Sequence, residues 1–226
     1  MTTTPRVVLF DVIETLFSLA PLKERFARNG LAEACADLFF AQLLRDAFAL
    51  SAAGVFKPFP EIAQGTLQVM LESRGRQGVD SAVKDILSAF GELPAHEDVK
   101  AALDAVRHAG ATAVLLTNGS RANTEKLVAG AGLSDLVDDV ISIEDIQVWK
   151  PQAAVYREAC RLCGVTTGEA TLIAAHAWDV HGGMQAGLGG FWVRRQVSLY
   201  HPVMGIPDGR AQDLTEAVDL ALNRVA

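Results

Sequence analysis

Five short apolar runs, spaced along the chain and set off by helix-like segments that stop at a glycine, constrain this sequence more than anything else in it. The runs are residues 6–10 (RVVLF), 112–117 (TAVLLT), 139–143 (DVISI), 170–175 (ATLIAA) and 190–194 (GFWVR). Short and nearly uniformly apolar, they read as strands buried on both faces. Helical spacing occupies 96–108, 121–131, 152–163 and 180–186, and each segment is followed by a glycine: Gly110, Gly132, Gly164 and Gly187. Strand–helix alternation of this kind predicts a doubly wound parallel α/β sheet.

One stretch breaks the rhythm. From about residue 17 to 93 there is no buried-strand run. Four helices are expected there, over 21–29, 33–50, 60–74 and 81–90. Apolar residues recur at helical spacing, as in Phe40, Leu43, Leu44, Ala47 and Phe48. The expected organisation is a core of 1–16 plus 94–226 and an all-helical cap of 17–93 over the strand tips. Pro94 marks the return point.

Charge narrows the function. The 226 residues carry 20 basic and 27 acidic side chains, a net charge of −7. Such a balance argues against nucleic acid or an anionic membrane as partner. An anionic substrate must be met by a few local cations. Cys35, Cys160 and Cys163 form no disulfide framework, and the C-x-x-C pair lies within a helical pattern, where two small apolar residues are the plain reading. With no charged-then-apolar leader and no apolar run of about 18 residues, a cytoplasmic location is expected.

The chemistry-bearing residues follow the strands. Asp11 stands at the tip of the first run, where parallel sheets place their active groups, with Thr15 four residues on. Thr117, Asn118, Gly119 and Ser120 follow the second run and open a helix, a natural anion seat and equally a helix cap. Lys150 lies in WKPQAAVY, and the fourth run leads into AAHAWD, ending at Asp179. These four motifs, in this order, resemble those of the haloacid dehalogenase superfamily over the whole chain. Within it the sequence is most similar to the type II, or L-2-haloacid, dehalogenases.

The resemblance implies a fold, a Rossmann-like core with a helical cap, and a reaction. Asp11 would displace halide from a small L-2-haloacid and form an aspartyl ester, whose hydrolysis gives the 2-hydroxy acid. Thr15 and Lys150 would hold Asp11, and Asp179 would orient Lys150 and activate water. Arg45, by its residue type a cation that could equally snorkel to solvent, would polarise the leaving halide, with Phe59 as an aromatic wall. Thr117, Asn118, Tyr156 and Trp178 would line the substrate. His176 stands where the family carries Asn, and is a hydrogen-bonder or a base; Glu14 stands where the family carries Gly. No cofactor or metal is implied, because Ile13 and Ala175 occupy positions where the superfamily's phosphatases carry aspartates. A possible homodimer is implied by the family alone. Two other readings stay open: a phosphatase of the same fold, and a non-catalytic binding protein.

Overall fold

The computed structural model describes residues 5–223, so the outermost ends of the expected core range, 1–4 and 224–226, lie outside the described residues. Six parallel strands form one sheet: β1 Val7–Phe10, β2 Thr112–Thr117, β3 Asp139–Ser142, β4 Ala170–Ala174, β5 Gly189–Val193 and β6 Gly209–Ala211, in the order β3-β2-β1-β4-β5-β6. All four residues of β1 are buried. That is what a strand with a neighbour on each side and helices on both faces requires, and it explains why the run carries no polar alternation.

From β1 the sheet grows outward through β2 and β3, and then the chain returns to the other side of β1 to lay down β4, β5 and β6. The order therefore reverses at β1, and the crevice beyond its C-terminal end is the switch point where α/β sheets bind ligands. Phe10 is level with Leu115 of β2 and Ile173 of β4. The loops carrying Asp11, Asn118 and His176 consequently leave the same edge of the sheet side by side.

Around the sheet lie α5 Val99–His108, α6 Arg121–Gly130, the short α7 Ile143–Ile146, α8 Ala153–Leu162, α9 Ala177–Ala186 and α10 Leu214–Leu222. Inserted between β1 and α5 are α1 Ala20–Arg28, α2 Ala34–Ala52, α3 Phe59–Glu72 and α4 Asp80–Ser88. These four helices occupy the segment where the sequence predicts a helical cap. The chain leaves and returns along one seam, where Ser18 N–H donates to the Pro94 carbonyl and His96 N–H to that of Leu16, each at 2.9 Å. The cap and sheet share one continuous apolar core. Cap and core are also pinned by Trp149 Nε1–H on the Lys57 carbonyl at 2.8 Å and by Asn123 Nδ2–H on that of Phe90 at 2.9 Å.

Two differences from the sequence reading matter. The last strand and last helix, β6 and α10, were not expected: β6 is three residues long with a polar Arg210 at its centre, too short and too polar to register as an apolar run. Helix α9 begins at Ala177 rather than at residue 180. Asp179 thereby falls in its first turn, where the unpaired N–H groups favour a carboxylate.

Candidate active site

Asp11 follows β1 directly and is anchored by its own N–H on the Ile173 carbonyl of β4 at 3.1 Å. Its side chain is only 8% exposed. Oδ1 accepts from Lys150 Nζ at 2.8 Å, and Oδ2 accepts from the Thr15 hydroxyl at 2.7 Å. Thr15 Oγ1 in turn accepts from Ala175 N–H at 2.9 Å, tying the first motif to the fourth. Burial pushes the Asp11 carboxyl up. The charge of Lys150, helped by His176, outweighs that and holds it well below the usual carboxylate range.

Lys150 has no exposed side-chain surface. Its ammonium donates to Asp11, to the Leu116 carbonyl at 2.9 Å and to Asp179 Oδ2 at 2.7 Å, so all three protons are placed. Burial opposes its charge, but the two carboxylates raise its pKa above the ordinary lysine value. The remaining Asp179 oxygen, Oδ1, accepts from the Tyr156 hydroxyl at 2.5 Å. Asp179 is wholly buried, with both oxygens engaged, and burial pushes its pKa up.

A close helix contact makes this packing feasible. A Cβ on Gly182 of α9 would stand 2.6 Å from Pro151 Cβ and 2.7 Å from the Tyr156 hydroxyl. Only glycine there lets α9 bring Asp179 onto Tyr156 and Lys150.

His176 bridges two carboxylates. Its Nε2 lies 2.8 Å from Glu14 Oε2 and its Nδ1 3.4 Å from Asp11 Oδ2. The ring stacks on Trp178 with centroids 5.2 Å apart and meets Phe40 of α2 at 6.2 Å. Burial lowers its pKa, but hydrogen bonds to Asp11 and Glu14 and their charges raise it to about 10. The imidazolium is therefore the resting form at neutral pH. Glu14 reaches the ring from a left-handed backbone, φ 67°, a conformation glycine adopts at no cost.

Two cavities flank the strand tip. One, of about 220 Å³, is lined by Glu14, Phe40, Leu44, Ala175, His176 and Arg195. The other, of about 230 Å³, is apolar along Ile13, Phe59, Ala63, Leu87 and Phe90 and polar at Gly119, Ser120 and Asn123.

The structure brings together Asp11, Thr15, Lys150, His176 and Asp179. Phe59 lies at one cavity wall, edge-on to Phe90 at 5.0 Å and stacked beside Trp149 at 6.5 Å. Asn118 Oδ1 accepts from Lys150 N–H at 3.2 Å. Thr117 is buried and accepts from Gly119 N–H at 2.9 Å, so it shapes the turn rather than facing the cavity. Trp178 packs edge-on against Phe48 at 5.1 Å as well as on His176. With Thr117, three expectations are corrected. Tyr156 is fully buried behind Asp179 and lines neither cavity. Arg45 is 66% exposed and pairs with its neighbour Asp46 at 2.7 Å. The inward face of α2 runs through Phe40, Leu43 and Ala47, which turns Arg45 to solvent. Glu14 as a partner of His176 was missed by sequence reasoning. Its acidic side chain at a glycine position was the available signal.

The donor set does not fit a hard cation. Asp11 and Asp179 both spend an oxygen on the Lys150 ammonium, and Ile13 and Ala175 offer no side-chain oxygen. Among the described residues no group of three or more His, Cys, Asp or Glu side chains is arranged to hold a metal ion.

A model of the haloacid dehalogenase-like hydrolases matches residues 5–187. The chain is 29% identical to (S)-2-haloacid dehalogenase 1 of Pseudomonas sp. (strain CBS-3) over 188 residues, 82% of each chain. It is 24% identical to (S)-2-haloacid dehalogenase H-109 of Pseudomonas putida over 218 residues, 96% of this chain and 97% of that one. Its fold is that of the L-2-haloacid dehalogenase from Xanthobacter autotrophicus with chloropropionic acid covalently bound: TM-score 0.88, 22% identity, 96% and 98% coverage.

Proposed function

The chain belongs to the haloacid dehalogenase-like hydrolases, and from that premise we propose that it hydrolyses the carbon–halide bond of a small L-2-haloacid through an ester on Asp11. The observation that carries this reading is the state of Asp11. It is a carboxylate kept ionised at the switch point, gripped by Lys150 and Thr15, with an apolar residue at position 13 in place of a proton-transferring acid. A nucleophile needs that arrangement. The similar chains named as (S)-2-haloacid dehalogenases support the substrate class.

In this reading Asp11 attacks the α-carbon with inversion, and the halide leaves with the bonding pair. Lys150 keeps the carboxylate charged and aimed, and Asp179 with Tyr156 keeps Lys150 in place. The apolar cavity beside Ile13 and Phe59 takes the carbon skeleton, and the amide end of Asn118 and the Ser120 turn face the substrate's polar end. Water then opens the ester at the Asp11 carbonyl carbon. Residues 17–93 act as the cap and 1–16 with 94–226 as the core, a division supported by the single seam at Ser18–Pro94. The reading extends to a cytoplasmic homodimer; free cysteines accord with the compartment, and light scattering tests the assembly.

The test is halide release from fluoro-, chloro- and bromo-substituted 2-haloacids, with Asp11→Asn alongside. Release from the native protein and its loss by several orders of magnitude in the variant supports the reading. Hydrolysis of a chromogenic phosphate ester without halide release overturns it.

A further inference from the structure

Ester hydrolysis needs a base for water, and the buried residues do not supply one. Asp179 has no exposed surface and both oxygens are taken by Lys150 and Tyr156. Lys150 has all three protons committed. The group that joins Asp11 to an open cavity is His176: it lines the 220 Å³ cavity, its side chain is 18% exposed, and its Nδ1 points at Asp11 from 3.4 Å.

We propose that Glu14 and His176 form a base dyad for the hydrolytic half of the reaction, His176 as the catalytic base acting on water and Glu14 as the residue that positions it. This rests on the haloacid reading above. The geometry is that of a carboxylate-oriented imidazole: Glu14 accepts the Nε2 proton at 2.8 Å, which leaves Nδ1 as the end that faces the ester. Trp178 beneath the ring and Phe40 from α2 fix its plane. Among the described residues, every charged group lining this cavity has a partner. Asp11 and Glu14 touch the ring, and Lys150 acts from behind Asp11. Arg195 is held by Asp98 and the Thr15 carbonyl, and Asp37 pairs with Lys23.

The dyad is silent until it is needed. In the resting site Asp11 and Glu14 together hold His176 protonated. Esterification removes the charge on Asp11, and with it one of the two groups that raise the imidazole pKa. The Asp11 oxygen forms its bond to the α-carbon as the carbon–halide bond breaks and halide departs. The Nδ1 proton then passes to solvent, the one proton the overall hydrolysis releases. Water adds to the ester carbonyl carbon, giving a proton to Nδ1. The carbonyl carbon–alkoxide bond breaks, and Nδ1 returns that proton to the departing 2-hydroxy acid. The new Asp11 carboxyl gives its proton to Nδ1, restoring the carboxylate–imidazolium pair with one oxygen from water.

The experiment is a rapid-mixing reaction with L-2-chloropropionate, read by chloride release and by the intact mass of quenched protein, for the native chain, His176→Gln, Glu14→Gln and Glu14→Gly. The glycine variant suits φ 67° and guards against misfolding. In His176→Gln we expect one chloride per protein in a burst, accumulation of the Asp11 ester, and ester decay slowed by about 10²-fold or more. In both Glu14 variants the acidic limb of ester decay should move to lower pH, because the imidazolium has lost its remaining carboxylate. Ester decay at the native rate in His176→Gln, or an unmoved limb in both Glu14 variants, overturns the dyad and leaves the haloacid reading standing. A native chain that releases no chloride and forms no ester overturns both.

Discussion

Lys150 reaches Asp11 at 2.8 Å from a position with no exposed surface, and the same ammonium holds Asp179 at 2.7 Å. Two buried carboxylates thus share one cation. In Lys150→Met they would face each other without it, and one would take a proton instead of ionising. We expect activity to fall by orders of magnitude and stability by about 3–5 kcal/mol, the usual cost of leaving a buried charge unpaired. Lys150→Met with Asp179→Asn should regain stability but not halide release. Urea unfolding and chloride release check both.

Gly182 tests how Asp179 is placed. In Gly182→Ala the new methyl would meet Pro151 Cβ at 2.6 Å and the Tyr156 hydroxyl at 2.7 Å. Helix α9 must retreat, and Asp179 with it. Overpacking of this kind costs about 1–3 kcal/mol. The kcat should fall further than that loss of stability explains, since Lys150 loses its backstop. Tyr156→Phe, which removes only the hydroxyl, should lower kcat without the packing loss.

Much of this was legible from the chain. The apolar runs located β1 to β5 because strands buried on both faces cannot hide their composition, and the motifs after them had to meet once the sheet was parallel. The helix phase of α2 was also written in Phe40, Leu43 and Ala47. Followed strictly, it turns Arg45 outward. What could not be read was the bond between Glu14 and His176, 162 residues apart. Motif order brings those loops together, but whether two side chains meet depends on a φ of 67° at Glu14, which sequence shows only as an odd residue at a glycine site. Likewise Tyr156 was legible as near the site but not as behind it, because depth along a helix face is a matter of packing.

The pairing of His176 sets a pH dependence of stability. Its pKa is raised from 6.5 to about 10 in the folded chain. A raised histidine stabilises fully below its unfolded value and ceases to do so as pH climbs through the folded one. Stability should therefore decline between about pH 6.5 and 10, by a few kcal/mol. In His176→Gln that decline should flatten. Asp11 works in the opposite direction: held below its usual 3.8, it stabilises above that value and loses its contribution only as the medium becomes strongly acidic. Thermal unfolding at intervals across pH 5–10 reads the first effect. An equal slope in native chain and variant would place the titrating group elsewhere.

Arg45 gives the clearest separation between resemblance and geometry. The family pattern assigns it to the leaving halide; the structure turns it to solvent, 66% exposed and paired with Asp46, away from both cavities at the strand tip. An exposed pair of this kind contributes about 0–1 kcal/mol, and surface substitutions away from special features stay within about 0.5 kcal/mol. Arg45→Ala should leave kcat and KM within about twofold and the unfolding midpoint nearly unchanged. Phe59→Ala should behave oppositely. That ring is 7% exposed, stands at the wall of the apolar cavity and packs on Phe90 and Trp149, so its truncation should cost about 3–5 kcal/mol and raise KM. A selective loss of kcat in Arg45→Ala, with stability intact, would mean that α2 rotates or shifts when substrate enters and carries the guanidinium inward, since halide charge develops only in the transition state.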